Sequence, residues 1–457
     1  MSGSALATSP TAPAAERYGA AVPARSATPA RWWELVRFLA DPRVRVDPYP
    51  MYRRLRDGGP VQHTVLGVTL VSGYEEATAV LRSPSVSSVE SNMDMSLLGG
   101  RRGRGLAAEM PARLLFRLAL HVQHTSADRA FLEMSKRFLI LMDPPDHTRI
   151  RGLASRAFTP RIAEEARPMI EAVTAQVLDE LDPGAPVDLM EAFAYRVPIL
   201  IICRLLGVPV EDQAEVCALV PPLVRGLDVD GLLSKQMVAE ADVATEKISA
   251  YFRALAEQRR VDQGDDLFSR LVAATEDGDR LATDELVAFA ALLFAAGHET
   301  TANLIGNGFW HLHAQPAQWA RWCDEPSVRP HGVEELLRFD SPVQATQRMA
   351  LEPMEVGGIE IPAGRQMTVL LGAANHDPAV HPDPDTLDLR RTPCRPLSFG
   401  FGIHHCIGAA LARVESEVAL GLLADRFPRV RPVDPTHAGW RRSIVFRGLT
   451  QLPVHLI

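Results

Sequence analysis

The sequence predicts a mainly α protein with small β-sheets, an α+β fold in which a helical body carries little strand. Long stretches of helical periodicity dominate the middle of the chain, at Ile162–Leu181, Ala239–Gln258 and Thr283–His313. Strand-like alternation is confined to short pieces near residues 61–72, 354–371 and 443–457. Strands and helices do not alternate along the chain, which excludes a doubly wound βα design.

Taken in order, the first thirty residues are rich in Ala, Pro, Ser and Thr and lack the apolar core of a signal peptide, so they read as a disordered tail. No later shift in composition marks a boundary, and residues 31–457 read as one domain. A helix is expected over Pro50–Asp57, then a hairpin in Val61–Ser72 that turns at Gly67. From Ser83 to Ile140 the pattern is least regular and includes the basic cluster Arg101-Arg102-Gly103-Arg104; an irregular segment of this length suits a binding loop. The apolar run Leu286–Gly297 is broken by His298-Glu299-Thr300-Thr301, too short and too polar to span a bilayer. Met354–Gly364 reads as a hairpin, Gln366–Leu371 as a strand, and Ser443–Ile457 as further strand.

A net charge of −8 and the lack of a long Lys/Arg run give no case for nucleic acid. The five cysteines are odd in number and sit at neither zinc-ligand nor redox-motif spacing, which points to a reducing, cytoplasmic setting. No Gly-x-Gly-x-x-Gly follows a strand, so no nucleotide or flavin module is expected and electrons for any redox chemistry come from outside.

The most informative stretch is Phe399-Gly400-Phe401-Gly402-Ile403-His404-His405-Cys406-Ile407-Gly408, one cysteine in a glycine-studded loop that leads into a helix. A metal-bound thiolate needs a tightly folded backbone, N–H groups aimed at the sulfur, and a positive helix end. Gly400, Gly402 and Gly408 permit the fold, and the helix from Ala409 supplies the end, so Cys406 is expected as a thiolate. A core cysteine requires no such frame. Further upstream, Ala295-Ala296-Gly297-His298-Glu299-Thr300-Thr301 puts an acid and two hydroxyls in mid-helix, where Thr300 can bond back to a carbonyl and Gly297 lowers helix stability by about 1 kcal/mol. A local widening of the helix is expected there. His298-Glu299 does not open a zinc-protease helix, because position 302 is Ala. Glu335 and Arg338 lie three apart on one helix face.

The cysteine loop resembles the haem-binding signature of the cytochrome P450 family at Phe399, Gly400, Gly402, His404, Cys406 and Gly408. The resemblance runs over about Asp41–Ile457, and Asp143-Pro144-Pro145-Asp146-His147, Gly372-Ala373-Ala374-Asn375 and Asp340-Ser341-Pro342-Val343-Gln344 look like the soluble bacterial, actinomycete-type members. It implies a triangular helical body with a long central helix over haem b, and Cys406 as the axial iron ligand. It implies haem-propionate contacts at His147, Arg151, Arg348 and His404. Gly297 is implied beside a dioxygen groove, and Glu299 with Thr300 as the proton-delivering pair. Glu335 and Arg338 are implied as a structural anchor whose usual third basic partner is replaced by Thr386. Carried over by position, the substrate pocket is expected at Phe294, Ala295, Val343, Gln344, Ala345, Val445 and Phe446. The implied function is a haem-thiolate monooxygenase that places one atom of O2 into a hydrophobic small molecule such as a polyketide, terpenoid, steroid or fatty acyl compound. Electrons come from NAD(P)H through a ferredoxin reductase and a ferredoxin, with Arg149, Arg156, Arg395 and Arg413 as a candidate docking face. A monomeric enzyme of secondary metabolism is expected. The rival readings are a peroxide-driven enzyme and a haem sensor without catalysis.

Overall fold

A computed structural model describes residues 42–64, 67–89, 130–227, 235–276, 279–441, 443 and 445–457. The tail over residues 1–30, the cluster Arg101–Arg104 and most of the irregular Ser83–Ile140 segment lie outside these residues.

Helices form the body. Those that position the site are α1 (Asp146–Ser155), α2 (Arg196–Leu205), α3 (Val210–Leu227), α4 (Lys235–Val261), α5 (Thr283–His313), α6 (Arg329–Phe339) and α7 (Ala409–Arg426). The main sheet has five strands, β1 (Val61–His63), β2 (Val68–Val71), β3 (Val86–Ser87), β4 (Thr346–Ala350) and β7 (Gln366–Val369), in the spatial order β1-β2-β7-β4-β3. Between β4 and β7 in the chain lies the expected hairpin of β5 (Met354–Val356) and β6 (Ile359–Ile361). The Gly67 turn also forms, with φ +84° where a side chain would be strained.

α5 runs through the core and is apolar nearly all round, as a helix buried on every side must be. Its first half, Leu286–Ala295, packs into one cluster with Phe252 and Phe268, and its second half packs Leu304, Ile305 and Phe309 against Leu420 and Leu423 of α7. The helix starts where Glu285 accepts the Ala282 backbone N–H at 2.8 Å.

Three expectations change. Ile162–Leu181 is two helices, Pro160–Glu165 and Arg167–Asp179, because Pro168 has no N–H to give to the preceding turn and its ring crowds that turn's carbonyl. The strand from Gln366 stops at Val369, and Leu371–Ala374 turns into a short helix. α5 stays α-helical through Gly297–Thr301, so the expected widening is not a change of helix type. A π turn occurs instead at Met190–Ala194, where Met190 fills the notch of Gly306 so closely that a Cβ there would lie 2.3 Å from its sulfur.

Candidate haem site

The cysteine loop is built as a tight return. Gly400 and Gly402 hold φ +69° and +71°, and a Cβ on Gly402 would lie 2.2 Å from the Leu81 carbonyl oxygen, so only glycine fits there. Gly408 has an ordinary φ of −86° and open space where its Cβ would point. The Cys406 N–H donates to the Phe399 carbonyl at 2.9 Å, and Arg151 of α1 donates to the His405 carbonyl at 2.6 Å. Cys406 itself is exposed, and desolvation still acts on its sulfur. That desolvation pushes the thiol above its ordinary value, against the opposing pull of the Gly408 N–H, Arg151 and Arg413.

Close to the loop, desolvated cationic and neutral donors gather. His147 is 1 % exposed, and both its ring nitrogens lack a partner. Its ring lies 4.3 Å from that of His404, centroid to centroid. Arg348 on β4 is 6 % exposed and, among the described residues, donates only within its own strand, to Thr346 Oγ1 at 3.0 Å and the Gln347 carbonyl at 2.7 Å. Burial holds Arg348 down at about 10, and burial with Arg348 and the neighbouring His147 holds His404 down at about 3. Asp143 acts on Arg348 and His147 through space, and buried donors that hydrogen-bond no anion among the described residues are what a carboxylate-bearing cofactor requires. With a cysteine sulfur and the open flank at Gly408 beside them, these residues fit haem.

Between Leu286 and Phe309 of α5 the half-buried positions are Leu293, Ala296, Gly297 and Thr300, one stripe at i, i+3, i+4 and i+7. Leu293, Ala296 and Ile407, the residue after Cys406, pack against the same apolar cluster. Thr300 Oγ1 donates back to the Ala296 carbonyl at 2.6 Å, as its position suggested. Glu299 points elsewhere: its carboxylate is 2.7 Å from the Arg441 guanidinium, which belongs to the C-terminal segment. His298 is buried, its Nε2 is 3.1 Å from the Tyr195 carbonyl, and burial lowers it to about 4, so it is a neutral packing residue.

The expected pocket residues divide. Val343, Val445 and Phe446 are half-buried, with Val343 and Phe446 joined by an antiparallel bridge. Phe294 and Ala295 face the core, Phe294 packing on Phe252 at 5.6 Å. Gln344 is 2 % exposed and donates to the Ser341 carbonyl at 2.7 Å and to Tyr49 Oη at 3.3 Å. Ala345 packs with Tyr52 and Leu70. Leu293 and Ala296, neighbours of Phe294 and Ala295, are half-buried, and spacing measured back from Gly297 and Thr300 finds them.

Glu335 and Arg338 are wholly buried, with a two-point ion pair at 2.7 and 2.8 Å. The third charge expected at position 386 comes from Arg391, whose Nε lies 3.1 Å from both Glu335 oxygens. Thr386 contributes only its carbonyl, which accepts from Arg338 and Arg391. The network is complete, and the sequence signal was the Arg390-Arg391 pair a few residues downstream.

Comparison with known proteins agrees with this geometry. The family profile described as Cytochrome P450 matches residues 331–436, the span from α6 past the cysteine loop. The chain is 37% identical to 6-deoxyerythronolide B hydroxylase of Saccharopolyspora erythraea over 92% of its own length and 98% of that protein. It is 44% identical to Vitamin D(3) 25-hydroxylase of Pseudonocardia autotrophica over 69% of its length and 77% of that protein. Among solved structures, P450BioI in complex with a hexadec-9Z-enoic acid-ligated acyl carrier protein superposes with a TM-score of 0.78 at 30% identity, covering 92% of this chain and all of that one. A cysteine loop and buried carboxylate-binding donors that fit haem, on a helical fold shared with these enzymes, make the chain a member of the cytochrome P450 family, an oxygen-incorporating haem oxidoreductase.

Proposed function

We propose that this enzyme hydroxylates or epoxidises a largely hydrophobic small molecule, with electrons delivered by a separate ferredoxin and its NAD(P)H-dependent reductase. The observation that carries this is the half-buried stripe Leu293, Ala296, Gly297 and Thr300 in the middle of α5, which borders the same apolar cluster as the residue after Cys406. Haem, when bound, supplies the oxygen-activating chemistry. Cys406 would ligate its iron, and His147, Arg348 and His404 would hold its carboxylates, with Arg151 bracing the loop through the His405 carbonyl. Leu293, Ala296, Val343, Val445 and Phe446 exclude water and accept an apolar substrate. Thr300 Oγ1 holds a proton at the one hydroxyl on the stripe, and Glu299, the preceding residue, serves as the acid when it leaves its Arg441 partner. The names of the two hydroxylases and the fatty acyl ligand of the solved complex support a lipophilic substrate class.

Carbon monoxide difference spectra of the reduced wild type and of Cys406→Ser test the ligand. A strongly red-shifted Soret band that is lost in the variant is expected; a histidine-type band in folded wild type removes Cys406 from the iron. Thr300→Ala tests the proton role. It should keep the wild-type spectrum while product per NADPH falls about tenfold and peroxide rises. Unchanged coupling assigns the hydroxyl to helix structure alone. Full turnover with peroxide and none with a ferredoxin system would favour the peroxide-driven reading.

A further inference from the structure

Cys203 and Cys217 have no redox-motif spacing, yet the fold brings their sulfurs to 3.7 Å. Cys203 lies near the end of α2 and is 0 % exposed; Cys217 lies in the second turn of α3 and is half-buried. The backbone around the pair is fixed. The turn between the helices is closed by the Val208 N–H donating to the Cys203 carbonyl at 2.9 Å, with Gly207 at φ +66°. Tyr251 of α4 donates to Asp212 in the first turn of α3 at 3.0 Å, which holds that helix where it is. Cys203 belongs to the apolar cluster between α2, α3 and α4, and Cys217 packs against it.

We propose that Cys203 and Cys217 form an oxidative modification site, a dithiol that hydrogen peroxide converts to an intramolecular disulfide. The accessible Cys217 reacts first: its thiolate attacks one peroxide oxygen, the O–O bond breaks, and sulfenic acid and, after protonation, water result. The Cys203 sulfur then attacks the Cys217 sulfur, the S–O bond breaks, and the proton from the Cys203 thiol leaves with the hydroxide as a second water. In sum two thiols and one peroxide give one disulfide and two waters. The sulfurs have to approach from 3.7 Å to about 2.05 Å. The contact between the two sulfurs draws the Cys217 thiol down and, with burial, pushes that of Cys203 up, which suits them to the attacking and resolving steps in that order. Cys394 differs: burial pushes its thiol up to about 12, and it is fixed on the Glu335 carboxylate.

The test uses the reduced full-length holoprotein. It is treated with a small excess of hydrogen peroxide or, as an oxidant that does not act through haem, with diamide; free thiols are then blocked and the peptides mapped by mass spectrometry. The expected result with both oxidants is a Cys203–Cys217 cross-linked peptide, loss of two of the five alkylatable thiols, and full recovery with dithiothreitol. Cys203→Ser should give no cross-link and a sulfenic acid trapped at Cys217 by dimedone. Its unchanged carbon monoxide spectrum shows that the variant is folded. Two freely alkylatable thiols after peroxide, a disulfide to any other cysteine, or a cross-link that appears with diamide alone would each overturn the proposal, and the wild-type map decides it even if the variant does not fold.

Discussion

Arg391 shows how much one side chain can carry. It supplies a second guanidinium to the Glu335 carboxylate, which Arg338 already holds at full burial, and it also bonds the Thr386 and Asp383 carbonyls. Two cations on one buried anion survive because carbonyls satisfy their remaining donors, and removing one member of such a set exposes the others to desolvation without compensation. Glu335→Gln leaves two buried guanidinium groups facing a neutral amide, and should cost about 3–5 kcal/mol of unfolding free energy. Arg391→Gln, with a partner still in place, should cost less, about 1–3 kcal/mol. Urea midpoints followed by tryptophan fluorescence rank the two; equal losses would mean that Arg391 bears on Glu335 no less than Arg338 does. The same residue marks a limit of reading sequence by position. The role was legible in the Glu335–Arg338 spacing, but the donor sits five residues from where a linear motif put it, because the loop of carbonyls that it threads is defined only in three dimensions.

At the scale of elements, α7 carries an acid with no business in an apolar helix face. Glu415 is 5 % exposed between Val414 and Val418, and burial raises its carboxyl from 4.5 to about 8. The folded protein therefore keeps a proton on Glu415 that the unfolded chain has released at any pH between about 4.5 and 8, so stability falls as pH rises through that window. Glu415→Gln removes this slope. It should gain on the order of 1–3 kcal/mol at pH 8 and leave stability at pH 4.5 nearly unchanged, at about 1.36 kcal/mol per pKa unit less the relaxation around a buried charge. Thermal midpoints across pH check it, and parallel curves for the two proteins would show that the carboxyl is ionised in the fold. Other properties of elements were legible in advance. The ends of α5 followed from its apolar run and from Asp284 and Glu285 in its first turn, since an amphipathic or fully buried helix declares itself by period and charge. The rotation of α5 is harder to read, because a helix buried on nearly all sides offers no polar stripe to fix it, and the partial exposure of Leu293, Ala296, Gly297 and Thr300 appears only in the fold. The break at Pro168 was missed for the opposite reason: apolar periodicity continues across it while the backbone hydrogen bond does not.

At the scale of the whole molecule, the net charge of −8 makes any basic patch on the cysteine side a local reversal of the field, and the four arginines that suggested one are not equivalent. Arg149 is paired with Asp279 at 3.2 Å and with Glu285, so its charge is already answered within the fold. Arg413 is paired with Glu334 and lies over the Phe399 ring at 4.5 Å, where it braces the cysteine loop. Arg395, a few residues before the loop, is exposed, and its backbone carbonyl is anchored by Tyr74 Oη at 2.8 Å. A partner carrying acidic groups would therefore be steered by Arg395 more than by the paired arginines. Arg395→Glu should raise the KM for an acidic ferredoxin by about 3- to 10-fold at low salt, with the difference fading above about 0.5 M salt as screening shortens the reach of the field to a few ångströms. The dissociation constant for substrate, read from the spin-state shift, should not move. Arg149→Glu predicts the contrary pattern: it sets a third carboxylate against Asp279 and Glu285, so it should lower the thermal midpoint and change the ferredoxin KM little. Stopped-flow reduction rates as a function of ionic strength separate the two. If both reversals weakened ferredoxin binding equally, the partner would read the summed charge of the face, and if neither did, docking would rest on apolar contact at this surface.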